Sequence, residues 1–183
     1  MGITHKFNTD KQQLVVKLVQ ASREGDQVRV KQLIAGGADV NGSDGHSCAL
    51  HVADNNIVTR VLLDAGARID IPDADGSLPQ HRAAQNGHSF SLQMLLAAPG
   101  AVVDSVDKYG ATALCEAARY GRIDAVNVLL KHGAKTDITD ETGRTPQQWA
   151  VENRRLEIAV RLQEHTMGTG QAVTVKGPLQ FRK

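Results

Sequence analysis

The chain has 183 residues, a formal net charge of +1 and an aromatic content of 3%. A charge this close to zero argues against a nucleic-acid polyanion as the main ligand. No apolar run approaches the ~20 residues that a membrane-spanning helix needs, and the apolar stretch around Lys17 is too short and too interrupted for a secretory signal. The sequence therefore predicts a protein that binds neither nucleic acid nor membrane.

Residues 1–12 carry no repeat signal, and we expect a leader or an extra turn of the first helix there. Two amphipathic segments follow, from about Leu14 to Arg23 and from about Val28 to Ala35, with Gly37 after the second. Polar residues are mixed into the first segment. This mixture suits a terminal helical repeat that keeps one face in solvent.

The second pair of segments is irregular. The spacing from His51 to Gly66 is about three residues shorter than the matching spacings later in the chain, and the usual glycine turn is replaced by Asp54-Asn55-Asn56. The first helix of this pair is therefore predicted to be about one turn long.

The third and fourth pairs are regular copies. The third carries one extra residue next to Pro99, which we expect to end its second helix. The fourth, within residues 108–137, places apolar residues at helical spacing in two short segments. It ends at Gly133, where a left-handed C-cap costs glycine nothing sterically.

The fifth pair is predicted to close the array. It opens with a capping-box pattern from Thr145 to Gln148, with proline at the first helical position, and its second helix runs from about Leu156 to Glu164. Residues 166–183 contain helix-breaking glycines and are predicted to be a tail or a short extended strand. The basic end of this tail is a candidate contact for an acidic partner and contains Lys176, Arg182 and Lys183.

Glycines that follow Asp-x-x recur at Gly76, Gly110 and Gly143, with a period of about 33 residues. No single segment could bury its apolar face alone, because each is only two or three turns long. A turn and two helices per period resemble the ankyrin repeat. The resemblance extends to the motifs LPQHRAAQNGH, ATALCEAARYG, RTPQQWA and GADVN.

This resemblance implies an all-α solenoid of about five helix-turn-helix repeats with β-hairpin fingers. By fingers we mean the loops that carry the Asp-x-x-Gly turns. Finger 3 is residues 73–76, finger 4 is residues 107–110 and finger 5 is residues 140–143. The repeat domain is predicted at residues 13–165, with repeats at about 13–44, 45–75, 76–109, 110–142 and 143–165.

The two cysteines, Cys48 and Cys115, fall in the second and fourth repeats. Helical layers pack roughly 8–10 Å apart, so two layers of separation exceed the ~7 Å between Cα atoms that a disulfide allows. Two free thiols suit a reducing compartment. We therefore expect the protein in the cytosol or the nucleus.

No residue pattern indicates catalysis or a cofactor. His51 and His81 fall at the signature histidine, which the resemblance implies is hydrogen-bonded between neighbouring loops. One alternative is a Zn²⁺ site at His46, Cys48 and His51, because imidazole and thiolate are zinc ligands. Since no second Cys/His pair at finger-like spacing accompanies these residues, we expect no metal, no cofactor and no enzyme activity.

The resemblance also implies that the fingers and the first helices of the repeats line a concave face. In repeat 4, the positions that point towards a partner hold Lys108, Tyr109, Arg119 and Tyr120, which include the only two tyrosines of the chain. Tyrosine and arginine are enriched at binding hot spots. The matching positions of repeats 3 and 5 complete the predicted partner-binding set, namely Asp75, Gln85, Asn86, Arg144, Glu152 and Asn153.

Three other residues receive specific predictions. Trp149 takes the place of a core leucine, and Phe90 begins a second helix, so we expect both to pack in the core. Asn41 ends the string LIAGGADVN, which is similar to the context hydroxylated by asparaginyl hydroxylases in ankyrin proteins. Asn41 is therefore a candidate modification site.

We predict a non-enzymatic, monomeric module that binds another protein through the concave face of repeats 3 to 5. Two alternatives stay open beside the metal site. Ankyrin-type inhibitors of cyclin-dependent kinases also shorten the first helix of their second repeat, so a kinase inhibitor is one alternative. The other is the targeting domain of a larger protein, although Met1 favours a native N-terminus.

Overall fold

Helices arranged in pairs make up the computed structural model, which describes the backbone of residues 2–168 and the side chains of residues 10–168. These residues confirm the all-α prediction, with nine α-helices and one 3-10 helix, η1. The five pairs are α1 (Gly2–Arg23) with α2 (Gln27–Ala35), η1 (Ala49–His51) with α3 (Asn56–Asp64), α4 (Pro79–Asn86) with α5 (Ser89–Ala97), α6 (Ala113–Tyr120) with α7 (Ile123–Lys131), and α8 (Pro146–Glu152) with α9 (Leu156–Gly168).

The pairs stack so that first helices pack on first helices and second helices on second helices. Helix α6 lies between α4 and α8, and α5 lies between α3 and α7. Helices α2 to α8 have seven to nine residues each and are too short to be stable alone, so the contacts between layers provide the core. Fully buried leucines run through that core from one repeat to the next, at Leu18, Leu62, Leu92, Leu114, Leu129 and Leu162.

The predicted shortening of repeat 2 is confirmed. Helix η1 has only three residues, and the chain then enters α3 through Asn55 instead of a glycine turn. The Asn55 side chain caps α3 by accepting a hydrogen bond of 2.9 Å from the Val58 amide. Its amide group donates back to the carbonyl oxygen of Gly25 at 3.4 Å, which joins repeats 1 and 2.

The fingers differ from the prediction. In the part of the chain that the structure describes, the β-structure is limited to two isolated antiparallel bridges, Ser43 with Cys48 and Val106 with Thr112. Side-chain capping takes the place of a strand ladder. In finger 4, Asp107 Oδ1 accepts from the amides of Tyr109 at 2.9 Å and of Ala111 at 3.0 Å. Each finger is therefore a tight turn closed by its aspartate.

Neighbouring fingers are joined by their backbones. The Lys108 amide donates to the Asp75 carbonyl oxygen at 3.3 Å, and the Glu141 amide donates to the Tyr109 carbonyl oxygen at 2.9 Å. Gly110 has a φ of 72° in this contact, and a Cβ atom there would lie 3.1 Å from the Glu141 nitrogen. Glycine is therefore required both by the left-handed turn and by the approach of the next finger.

The predicted role of the signature histidines is confirmed. His51 Nε2 lies 3.0 Å from the Ser77 carbonyl oxygen, and His81 Nε2 lies 2.9 Å from the Ser105 carbonyl oxygen. The Nδ1 atom of His81 accepts from the Leu78 amide at 3.0 Å. Burial lowers the pKa of both histidines, so the neutral ring that these bonds require is favoured.

Both ends of the array continue a helix beyond the predicted repeat. Helix α1 begins at Gly2, so residues 2–12 extend the first helix, and α9 continues to Gly168. The predicted capping box at Thr145 and Gln148 is confirmed. None of the described helices is both long and apolar enough to cross a membrane. The predicted basic tail end lies outside the described residues.

Candidate protein-binding surface

Repeat 4 brings four of the predicted partner-binding residues together on the concave face. Finger 4 carries Lys108 and Tyr109, and the last turn of α6 carries Arg119 and Tyr120. The rings remain accessible, with Tyr109 53% and Tyr120 39% exposed. Helix α6 ends at a left-handed glycine directly after Tyr120, and both Arg119 and Tyr120 are exposed in its last turn.

An alternating stack of aromatic and guanidinium groups extends this surface into repeat 5. The Arg119 guanidinium carbon lies 5.6 Å from the Tyr120 ring centre and 4.6 Å from the Trp149 ring centre. The Arg144 guanidinium lies 5.0 Å from the same indole ring. Arg144 Nε also donates to both carboxylate oxygens of Glu152 at 2.9 Å. These contacts preorganise the cationic side chains before any partner arrives.

The prediction for Trp149 is therefore wrong. Its side chain is half-buried, and the indole nitrogen donates to Asp140 Oδ2 at 2.7 Å instead of entering the core. The inward positions of the short helix α8 are taken by Pro146 and Ala150. Asn153, which was predicted to face the partner, donates from its amide group to the Trp149 carbonyl oxygen at 2.9 Å and closes the end of α8.

A charge network joins fingers 3 and 4. Asp75 accepts from Arg82 at 2.7 Å and from Lys108 at 2.6 Å, and Arg82 also reaches Asp73 at 2.6 Å. The hydrogen bonds from Lys108 and then from Arg82 lower the pKa of Asp75. The sequence reading missed Arg82, although its place one residue after the signature His81 puts it beside finger 3.

Gln85 and Asn86 are neighbours at the end of α4, but their side chains lie in different surroundings. The Gln85 side-chain oxygen accepts from Arg82 at 3.1 Å, and its carbonyl oxygen accepts from Arg122 Nε at 3.0 Å. Gln85 therefore belongs with the charge network. Asn86 is exposed and borders a depression on the side of repeat 2.

Between fingers 3 and 4 and helix α6 lies a hollow of about 170 Å³. We call it the Tyr–Glu hollow, because Tyr109, Tyr120 and Glu116 line it together with Arg119 and Asp107. Glu116 is half-buried, and burial raises the pKa of its carboxyl group. The sequence reading missed Glu116, although a glutamate among the small apolar residues of ATALCEAARYG is a signal that could have been used.

A larger depression of about 680 Å³ lies on the side of repeat 2, where η1 is too short to fill the row of first helices. Arg23, His46 and Asp54 line it, and His88 Nε2 lies 3.7 Å from Asp54 Oδ1. Six of the ten residues predicted to bind the partner line this depression or the Tyr–Glu hollow, namely Asp75, Gln85, Asn86, Tyr109, Arg119 and Tyr120.

The geometry gives no support to the alternative zinc site. His51 uses Nε2 for the Ser77 carbonyl oxygen, and its Nδ1 lies 2.9 Å from Cys48 Sγ and 3.3 Å from the Cys48 amide. Burial raises the pKa of the Cys48 thiol, which disfavours the thiolate that zinc requires. His46 is exposed, and within the described residues no three metal-ligating side chains form a group.

The candidate modification site Asn41 holds two loops together. Its amide group donates to the Gly66 carbonyl oxygen at 3.2 Å, and its side-chain oxygen accepts from the Arg68 amide at 2.8 Å. Both ends of the side chain are therefore used between repeats 1 and 2. Hydroxylation of Asn41 stays a prediction.

The prediction for Phe90 is wrong, because its ring is 71% exposed. Helix α5 is apolar around most of its circumference, and the stacking of repeats selects Leu92, Leu95 and Leu96 as the buried side. Phe90 is left on the convex side of the array, bordering a groove between α3 and α5.

A family model for ankyrin repeats in three copies matches residues 18–107 and residues 81–174. The chain belongs to the ankyrin repeat family. Members of this family generally bind other proteins and are typically not enzymes.

Curated relatives agree with this assignment. An ankyrin repeat protein, nuc-2 of Neurospora crassa, is 37% identical over 101 residues, which is 55% of this chain and 9% of that protein. Inversin of Canis lupus familiaris is 36% identical over 129 residues, which is 67% of this chain and 12% of that protein. A putative palmitoyltransferase, ZDHHC13 of Danio rerio, is 33% identical over 130 residues, which is 68% of this chain and 20% of that protein.

This ankyrin array thus spans at most 20% of the length of the three relatives described above. The similarity therefore concerns an ankyrin region, and the functions of the whole relatives do not transfer with it.

Proposed function

We propose that this ankyrin array is a non-enzymatic adaptor that binds another protein through the concave face of repeats 3 to 5. The observation that carries the proposal is the stack of Tyr120, Arg119, Trp149 and Arg144. Together with exposed Tyr109, it places aromatic and arginine side chains, the types enriched at binding hot spots, on one continuous surface.

The proposed mechanism is rigid presentation. Arg119 and Arg144 are already held against Trp149, and finger 4 is joined by backbone hydrogen bonds to both neighbouring fingers. Because these groups are ordered in the free protein, a partner that binds them loses little additional conformational entropy. A specific partner is expected to bury about 1,200–2,000 Å² of surface in total.

The first test is affinity capture from a cell lysate, followed by binding measurements between the purified array and each captured protein. The Tyr109→Ala/Tyr120→Ala variant is expected to lower the affinity for a true partner by at least about 30-fold, since hot-spot truncations cost ~2 kcal/mol or more. A matched control removes two exposed apolar side chains on the other side of the array, Phe90→Ala/Val160→Ala.

An unchanged affinity in the folded tyrosine variant would contradict this use of the concave face. A loss of affinity only in the control variant would place binding on the convex side, along the grooves that Phe90 and Val160 border. Circular dichroism of each variant verifies that the compared proteins are folded.

Further properties belong to the same proposal. We propose a monomer without nucleic-acid or membrane ligands, in the cytosol or the nucleus. Both cysteines are free and buried, which is compatible with a reducing compartment. Sedimentation of the purified protein at several concentrations tests the monomer, and a concentration-dependent dimer would contradict it.

The second candidate function is inhibition of a protein kinase. The observation that favours it is the three-residue helix η1, which resembles the shortened helix of ankyrin-type kinase inhibitors and leaves the depression around His46 and Asp54. Inhibition assays across a panel of kinases test it. A role as the targeting domain of a larger protein stays a third proposal, supported by the greater length of the relatives.

A further inference from the structure

The carboxylate of Glu116 is unusual on the concave face because it is half-buried and is unpaired in the part of the chain that the structure describes. It lies half-buried on α6, and no side chain or backbone group within the described residues 10–168 forms a hydrogen bond or an ion pair with it. Partial burial disfavours the charged carboxylate, and no group of the described residues compensates through a hydrogen bond, although its oxygen atoms are not fully removed from solvent. A structural role therefore does not explain this residue.

The nearby cations are engaged elsewhere. Arg82 is bound to Asp73 and Asp75 at 2.6 and 2.7 Å, and Lys108 is bound to Asp75 at 2.6 Å. Arg119, three residues further along the same helix, lies against the Trp149 ring at 4.6 Å. Arg119 and Arg82 attract the Glu116 carboxylate only through space, and none of the three cations forms an ion pair with it.

The surroundings of Glu116 favour a cation. Tyr109 and Tyr120 line the same hollow, and tyrosine rings attract lysine and arginine. Each ring already has one cation of this chain nearby, Lys108 at 5.0 Å from the Tyr109 ring centre and Arg119 at 5.6 Å from the Tyr120 ring centre. The hollow is lined by three carboxylates, those of Asp75, Asp107 and Glu116, and by two guanidinium groups, those of Arg82 and Arg119, so its lining is net negative.

The volume of the hollow, about 170 Å³, is close to the ~150 Å³ of a cavity that holds one benzene molecule. It is smaller than the ~300–1,000 Å³ of small-molecule pockets. The hollow therefore has room for a single side chain of a partner.

We propose that the Tyr–Glu hollow receives a lysine or arginine side chain from a basic segment of the partner protein, with its cationic end against Tyr109, Tyr120 and Glu116. This inference rests on the proposed binding function and names the chemistry of the partner. The partner's cation would supply the hydrogen bonds that Glu116 lacks in the free protein. Glu116 would then discriminate basic from neutral or acidic segments.

The test uses the ¹⁵N-labelled full chain and three blocked pentapeptides, in which lysine, arginine or norleucine is flanked by glycines. Saturable changes in amide chemical shift are expected at Tyr109, Glu116 and Tyr120 with the lysine or arginine peptide. Norleucine has the same apolar stem as lysine without its charge. Its peptide is expected to bind at least about tenfold more weakly, because a charge-assisted hydrogen bond is lost.

Two matched variants make the test specific. Glu116→Gln is expected to weaken binding of the lysine peptide about tenfold, whereas Glu157→Gln, an equal charge change on an exposed residue of α9, leaves it unchanged. Equal binding of the lysine and norleucine peptides, equal binding by Glu116→Gln, or no saturable change at millimolar peptide would each overturn the proposal.

Thermal unfolding separates binding from folding. Glu116→Gln is expected to be at least as stable as the unchanged protein at neutral pH, because the variant removes a desolvated charge. A marked loss of stability would show a structural role and overturn the inference. If a purified partner depends on Tyr109 and Tyr120 but not on Glu116, the concave-face proposal stands and the basic-segment proposal fails.

Discussion

His51 and His81 each join the start of a first helix to the loop of the following finger through both ring nitrogens. Nδ1 accepts a hydrogen bond from the start of its own helix, and Nε2 contacts a carbonyl oxygen beside that finger, Ser77 for His51 and Ser105 for His81. Protonation of Nδ1 would remove the acceptor and place a charge in a buried site. The two residues therefore couple the stability of the array to pH.

The expected effect has a defined direction. Burial holds the pKa of both histidines below the ordinary 6.5, so the unfolded chain takes up protons first as the pH falls. Their contribution to the free energy of unfolding is fully present above pH 6.5 and is lost as the pH falls from there towards the folded-state pKa. Urea denaturation between pH 5 and pH 8 measures this dependence.

The double variant His51→Gln/His81→Gln is expected to make the free energy of unfolding depend less steeply on pH below pH 6.5. Glutamine is a suitable replacement because Gln148 already makes the equivalent bond, accepting from the Thr145 amide at 2.8 Å. His132→Gln, at an exposed position, serves as the control. An unchanged pH dependence in the double variant would show that other groups cause it.

At the scale of the element, the fingers act together because each touches the next through its backbone. Gly76, Gly110 and Gly143 have nearly the same φ, at 72°, 72° and 75°. Their surroundings differ. An added Cβ atom would lie 2.9 Å from the Lys108 nitrogen at Gly76 and 3.1 Å from the Glu141 nitrogen at Gly110, but would meet nothing within 4 Å at Gly143.

Alanine substitutions at these glycines are expected to separate the cost of a left-handed backbone from the cost of a clash with the next finger. Gly143→Ala should lower the free energy of unfolding by about 1–2 kcal/mol, the cost of a left-handed backbone for a residue with Cβ. Gly110→Ala and Gly76→Ala should lower it further, because the next finger must also move. Urea denaturation measures all three, and equal losses would mean that contact between fingers contributes little.

At the scale of the whole molecule, repeat 2 is the weak layer. Its first helix has three residues, so it offers less surface to α1 and α4 than a full helix does. Stability in a repeat array depends on contacts between neighbours. Within the described residues repeat 1 packs on this weak layer, so it should open more often than repeats 3 and 4.

Amide hydrogen exchange tests this expectation. Residues of α2 in repeat 1 are expected to exchange faster than residues of α5 and α7, in repeats 3 and 4, under the same conditions. Equal protection along the array would indicate that the side-chain bonds of Asn41 and Asn55 compensate for the short helix.

The candidate binding surface could be predicted only in part. The resemblance correctly grouped Tyr109, Arg119 and Tyr120 on one helix end and one finger, because the repeat period fixes their relative places. Glu116 was missed because an unpaired carboxylate is recognised only when its neighbours are known. Its significance depends on Arg82 and Arg119 being bound to other groups.

The number of repeats, the short helix of repeat 2, the capping box and the histidine positions could be predicted from the sequence alone. These features depend on local spacing and on hydrogen bonds between residues close in the chain. Which side of each short helix is covered could not be predicted, because burial depends on what the adjacent repeat places opposite each side chain. In the folded array Phe90 is exposed, Trp149 stacks between two arginines, and Glu116 has no hydrogen-bond partner within the described residues.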